Sequence, residues 1–187
     1  MAYATPGTVA TGDVVTASAW NVITNDVISF RDNTGVVPPA CRVRRTATGQ
    51  SLANGVVAAL NFDTEDFDTN AMFAPTANFI TIKTAGIYIV TATVVLTANA
   101  TGNRALIIYL NPTVTGAGDS ATLSAGTEIA NSTHTVGSST TSSTCASTIY
   151  NFNLNDVVRV GFFQNSGIAL ATTGSSQLSA AMLGATT

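Results

Sequence analysis

The chain has 187 residues, of which 45% are apolar and only 9% charged, with a formal charge of −3. That is enough apolar material for one packed domain and a small appendage, and it argues against wholesale disorder. The acidic balance gives no general attraction to nucleic acid or anionic membrane, and no apolar run approaches the roughly 20 residues of a membrane helix, so no membrane insertion is expected.

Thr, Ala, Ser, Asn and Gly replace charge on the surface, and Lys83 is the only lysine. Such a surface suits a protein held in an assembly. The N-terminus shows neither the basic nor the apolar region of a secretory leader. Cys41 and Cys145 are far apart and outside any CxxC pair, so two buried free thiols are expected.

Residues 1–16 hold one proline, two glycines and short apolar pieces, and read as an extended arm. From Ala17 the period changes. Trp20, Ile23, Val27 and Phe30 follow the three-four-three spacing of a helical seam. Thr16 or Ser18 can cap its start, and Asn33 and Gly35 can end it. The seam can pack on its own domain, on copies of itself or on a docking protein. Val36-Val37-Pro38-Pro39 forms a stiff link. It divides an attachment or oligomerisation segment, 1–37, from a domain at 38–187.

From Cys41 onward the pattern is strand and turn. Strands are expected at 41–47, 56–62, 78–83, 86–98, 104–111, 121–131, 145–153, 156–164 and 176–184. The longest, Gly86 to Thr97, alternates cleanly. Tyr88, Val90, Ala92, Val94 and Leu96 share one apolar face, and Ile87, Ile89, Thr91, Thr93 and Val95 the other. The same parity puts Leu106 and Ile108, and Val158, Val160 and Phe162, in the core. Ile107, Tyr109 and Phe163 then point away from it and need another cover. Many strands without a helical period between them indicate an all-β antiparallel sandwich.

Residues 111–144 are the polar exception and read as long exposed loops around one strand. The acidic run Asp63-Thr64-Glu65-Asp66-Phe67-Asp68 lacks the spacing and glycine of a calcium loop and reads as a solvated turn. His134, the only histidine, could be set on paper with Asp119 and a serine, but no nucleophile motif accompanies it; a solvated loop residue is expected. Gly116-Ala117-Gly118 has no helix to follow it and is a poor phosphate cradle. Arg42, Arg44 and Arg45 are expected to pair with carboxylates at a subunit contact. No catalytic residue, cofactor or metal site is read, and no enzyme.

Ile80, Ile82, Gly86, Tyr88 and Val90, then Leu106-x-Ile108-x-Leu110-Asn111, Leu154-Asn155-Asp156-Val157-Val158 and Leu178-Ser179-Ala180-Ala181-Met182-Leu183, together resemble the globular head of complement-type proteins. That family belongs with the tumour-necrosis-factor-like jelly rolls. The resemblance spans roughly Cys41 to Gly184 and departs at Asn155, where the family usually has glycine, and at Val90, where an aromatic is common. It implies an antiparallel jelly-roll sandwich, here preceded by an extended arm and one short α-helix, that assembles as a homotrimer. Ile107, Tyr109 and Phe163 are expected at the threefold contact.

The opening, Gly12-Asp13-Val14-Val15-Thr16-Ala17, with Trp20-Asn21 and Arg31-Asp32-Asn33, resembles the start of tailed-bacteriophage virion proteins. This implies a structural protein of the virion, assembled in the host cytoplasm. Trp20, Ile23, Val27 and Phe30 would attach it to other virion proteins. A tail-associated place, with a host surface receptor or glycan as target, is the leading expectation. A capsid decoration protein or head fibre is the alternative, and a soluble carbohydrate- or protein-binding module using the 111–144 loops a further one.

Overall fold

The computed structural model describes residues 16, 20–21, 37–47, 49–74, 78–137, 141–173 and 176–185. The chain forms two compact units, Met1–Pro38 and Pro39–Thr187. In the first, Trp20 and Asn21 are helical and the Trp20 N–H donates to the Thr16 carbonyl at 3.0 Å. Most of the expected arm, and Ile23, Val27 and Phe30 of the expected helix, lie outside the described residues.

The second unit is all-β. In chain order its strands are β1 (Ala40–Arg44), β2 (Ser51–Leu52), β3 (Val57–Ala59), β4 (Thr64–Asp68), β5 (Ile80–Thr81), β6 (Gly86–Leu96) and β7 (Asn103–Leu110). There follow β8 (Thr113–Thr115), β9 (Thr122–Ser124), β10 (Thr127–Thr135), β11 (Ser142–Phe152), β12 (Val157–Gln164), β13 (Leu170–Ala171) and β14 (Gln177–Gly184), with a 3₁₀ turn at Gly118–Ser120. The first sheet runs β11-β6-β14-β1-β4. The second runs β10-β7-β12-β3-β9-β8, with β5 also on β12. β2 and β13 form a small pair. Every pairing is antiparallel.

Alternation on the long strands builds the core. Tyr88, Val90, Ala92, Val94 and Leu96 of β6 face Leu106 and Ile108 of β7 and Val158, Val160 and Phe162 of β12 in one buried cluster. The expected parity is therefore the observed one. Tyr88 is fully buried; its ring meets Phe152 edge-on with centroids 5.9 Å apart, and its hydroxyl donates to the Thr84 carbonyl at 2.7 Å. A buried tyrosine needs such a partner. Gly86 starts β6 because nothing larger fits. A Cβ there would lie 2.5 Å from Met182 Cε and 2.6 Å from the Gly184 carbonyl oxygen, where β14 bulges.

Two expectations of the loops change. The acidic run is not a turn but β4, an outer strand of the first sheet beside β1. Acidic side chains on an edge strand block unwanted pairing, so their density does not preclude a strand. The 111–144 stretch is likewise largely paired: it holds β8, β9, β10 and the start of β11. The expected strand at 121–131 breaks at Ala125, whose φ is +52°.

Candidate functional site

Two features present chemistry at the surface: an aliphatic face on the first sheet and a pocket at the edge of the second. The outer face of the first sheet is built by the half of the alternation that the core does not take. Ile149 of β11 lies opposite Ile89 of β6, and Ile89 in turn opposite Ala181 of β14. Ile87, Ile89, Ile149 and Leu183 are all exposed, Ile149 by 63% and Leu183 by 58%. Large aliphatic groups gathered in this way mark a surface that loses free energy to water. Toward the other end the face turns to Thr91, Thr93, Ser147 and Cys145.

The pocket lies where the β2–β3 loop, the 3₁₀ turn and the residues before β13 converge. It measures about 200 Å³ and is lined by Ala53, Val56, Ala58, Ala169 and Asp119, with Ser51, Ser120 and Thr122 adding hydroxyls. A polar network beneath fixes Asp119. Asn61 Nδ2 donates to Asp119 Oδ1 at 2.9 Å, and Arg45 Nη2 lies 3.4 Å from Oδ2. Asn61 is held in turn by the fully buried Gln50, whose Oε1 accepts its N–H at 3.0 Å. Arg45 is buried, with Nη1 3.3 Å from the Asn61 carbonyl, and its Nε has no partner. Hydrogen bonds also tie the chain beside two lining residues, Ala53 and Ala169. Gln164 Nε2 donates to the carbonyls of Leu52 at 3.1 Å and Ile168 at 2.7 Å, and Gly167 N–H to Asn54 Oδ1 at 2.7 Å.

The residues singled out in the sequence fall as follows. Ile107, Tyr109 and Phe163 do share the outer face of the second sheet, yet the chain covers much of them itself. Ile107 is buried. The Tyr109 ring packs with Val57 on a small cluster of Ala59, Ala121 and Leu123. It fits because position 161 is glycine: a Cβ there would be 2.9 Å from Tyr109 Cε2 and 2.8 Å from Val57 Cγ1. Burial first, then the Glu128 carboxylate, push the Tyr109 phenol up. Phe163 is half-buried beside Val57. The need for a second subunit to cover Ile107 and Tyr109 is thus largely met within the chain. Ala121 and Leu123, which pack against Tyr109, come from the polar 111–144 stretch. Trp20 is exposed by 62%.

The arginines have carboxylate partners within the chain. Asp66 takes Arg42 Nε at 3.3 Å and Arg44 Nε at 2.5 Å, and Arg45 goes to Asp119. His134 is on strand β10, not in a loop, with Nδ1 3.3 Å from Thr144 Oγ1. Asp119, its paper partner, belongs to the pocket network. Both cysteines are free, but only Cys41 is buried; Cys145 is exposed on the outer face of β11. Burial, then Asp68 and Glu65, push the Cys41 thiol up to about 12. Among the described residues no group of His, Cys, Asp and Glu is placed to hold a metal ion.

No protein-family model matches the sequence, and no curated protein matches it. Solved structures do match the fold. The globular domain of zebrafish complement 1qA protein is 13% identical, with a TM-score of 0.53 over 79% of this chain and 99% of that one. Eiger TNF from S. frugiperda is 9% identical, with a TM-score of 0.57 over 81% and 96%. Murine APRIL is 9% identical, with a TM-score of 0.53 over 79% and 100%. The fold is that jelly roll. At such identities the likeness speaks for architecture.

The comparisons correct the functional expectation. The three structures just described are a complement head and TNF-type proteins, none of them a tail or capsid component. The reading as a tailed-phage virion protein, tail-associated or decorating the head, is withdrawn. Its virion partners, host-surface target and assembly in a host cytoplasm are withdrawn with it. The complement-type and TNF-like part of the resemblance holds as a fold. His134, Asp63, Asp119 and Asp156 each make a hydrogen bond within the chain.

Proposed function

We propose that this chain is a non-catalytic binding protein whose jelly roll works as a homotrimer and recognises a protein partner. The observation that carries the reading is the aliphatic outer face of the first sheet, Ile87, Ile89, Ile149 and Leu183, on a fold shared with a complement head and TNF-type proteins. Burying four such side chains returns roughly 1.5–3 kcal/mol each at most, and few charges oppose the contact. The competing contact is the one expected from the sequence, Ile107, Tyr109 and Phe163. Trp20, Ile23, Val27 and Phe30 of the N-terminal unit would add a helical seam to the same assembly.

Sedimentation of the full chain tests this. At micromolar concentration the wild type should run as a trimer, and Ile89→Asp with Ile149→Asp should run as a monomer that stays folded. Trimers lost instead with Tyr109→Asp and Phe163→Asp, and kept with the first pair, would move the contact to the second sheet. A monomeric wild type sinks the assembly.

A further inference from the structure

The pocket beside Asp119 presents one carboxylate, which also pairs with the buried Arg45 at 3.4 Å, and its remaining lining is mainly methyl and methylene. We propose that it receives the side chain of a lysine from the protein partner. This rests on the reading of the chain as a binding protein and names what one part of its surface recognises.

The shape of the chemistry is the argument. Ala53, Val56, Ala58 and Ala169 supply aliphatic wall, and Asp119, Ser51, Ser120 and Thr122 supply oxygen. A lysine carries a four-carbon stem with three N–H donors at its tip. The stem matches the alanine and valine wall, and the ammonium needs a carboxylate with neutral acceptors beside it. Asp119 lines the pocket with its side chain 47% exposed, and each carboxylate oxygen is engaged once, by Asn61 or by Arg45, so lone pairs remain. The buried Arg45 and Asn61 orient the carboxylate and set its position before any ligand arrives, which lowers the ordering cost of binding. No aromatic ring lines the pocket to stack against the apolar face of a sugar. The chain's net charge of −3 draws a basic partner rather than an acidic one.

The arrangement also explains why the surroundings are so tightly knitted. The Gln164 amide ties Leu52 and Ile168, the chain neighbours of the lining residues Ala53 and Ala169, and Asn54 ties Gly167. These bonds position the two segments that carry Ala53 and Ala169 on the wall of the pocket.

The test is a titration of the full chain at low salt, followed by NMR shifts or calorimetry. The ligands are acetyl-Gly-Lys-Gly-amide, its norleucine counterpart and a methyl hexopyranoside. The lysine peptide should bind at least about tenfold more tightly than the norleucine peptide, and added salt should weaken it. Asp119→Asn should erase the difference between the two peptides. Ala169→Phe, which fills the rim without touching the network, should abolish both, and it keeps the test decisive if Asp119→Asn loses the fold. Equal binding of the two peptides, binding of the hexopyranoside alone, binding unchanged in Asp119→Asn, or no peptide binding at all would overturn the proposal. A chain that binds the lysine peptide as a monomer would refute the trimer and leave the pocket. A trimer that binds no peptide would refute the pocket and leave the trimer.

Discussion

Asn111 and Asp156, 45 residues apart, close the end of the second sheet with a hydrogen bond from Asn111 Nδ2 to Asp156 Oδ1 of 2.8 Å. Asn111 Oδ1 accepts the Val157 N–H at 2.7 Å, and Asp156 Oδ2 accepts the Asn153 N–H at 2.8 Å. These are the residues of the Leu110-Asn111 and Leu154-Asn155-Asp156-Val157 steps, which suggest a jelly roll in the sequence. Their job is to satisfy the turn between β11 and β12. Asp156→Ala should cost about 1.5–3 kcal/mol in a denaturant melt, since it strands an N–H and an amide on a largely buried group. A loss under half a kcal/mol would show that water replaces the carboxylate.

Gly86→Ala tests the closest approach in the first sheet. The added carbon meets a flexible Met182 end on one side but the Gly184 carbonyl on the other, and only the first can yield. Overpacking of this kind costs typically 1–3 kcal/mol. Pairing it with Met182→Ala should recover little, because the backbone contact remains. Full recovery would assign the crowding to the methionine alone.

Ile108→Ala should be the more damaging change. Ile108 is fully buried in the cluster between the sheets. Removing an isoleucine to alanine in such a core costs about 2–5 kcal/mol, depending on collapse of the cavity. The same change at the exposed Ile149 should leave the monomer's melt nearly unaltered.

Asp63 gives the domain an acid-sensitive element. Burial pushes its carboxyl up, but the backbone N–H groups of Thr46 and Ala47 and the hydroxyls of Thr46 and Thr64 outweigh that and hold it well below the usual carboxylate range. A depressed carboxylate stabilises the fold fully above its unfolded value, 3.8, and the contribution is lost as pH falls through the folded value. Asp63→Asn should therefore lower stability at pH 7 and flatten its dependence on pH below 4. Melts between pH 7 and 2 that show equal slopes for both chains would remove Asp63 from the acid response.

The long strands were legible because their side chains alternate over many residues. The expected 86–98, 156–164 and 176–184 became Gly86–Leu96, Val157–Gln164 and Gln177–Gly184. What escaped was pattern without hydrophobicity. β4 has only Phe67 among its outward acids, and the start of β11 is serine and threonine that pair with β6 as well as any apolar run. Asn155 shows the opposite case. It departs from the family's glycine yet sits at φ +69°, a conformation asparagine accepts readily, so the turn survives the change. The pocket was not legible at all. Arg45, one residue past β1, Asn61, two residues past β3, and Asp119 in the 3₁₀ turn are far apart in sequence, and the fold brings them together beside the pairing of β3 with β9.

The contrast between the two thiols makes the chain its own footprinting reagent. Cys41 is sealed in the core with its thiol held at about 12, so it stays silent to an alkylating dye in the folded state. Cys145 stands in the open on the same side of the first sheet as Ile149, two turns of the pleat away. The rate at which the dye marks that one sulfur in the purified chain reports whether this side of the sheet is covered, without a label ever having been designed in.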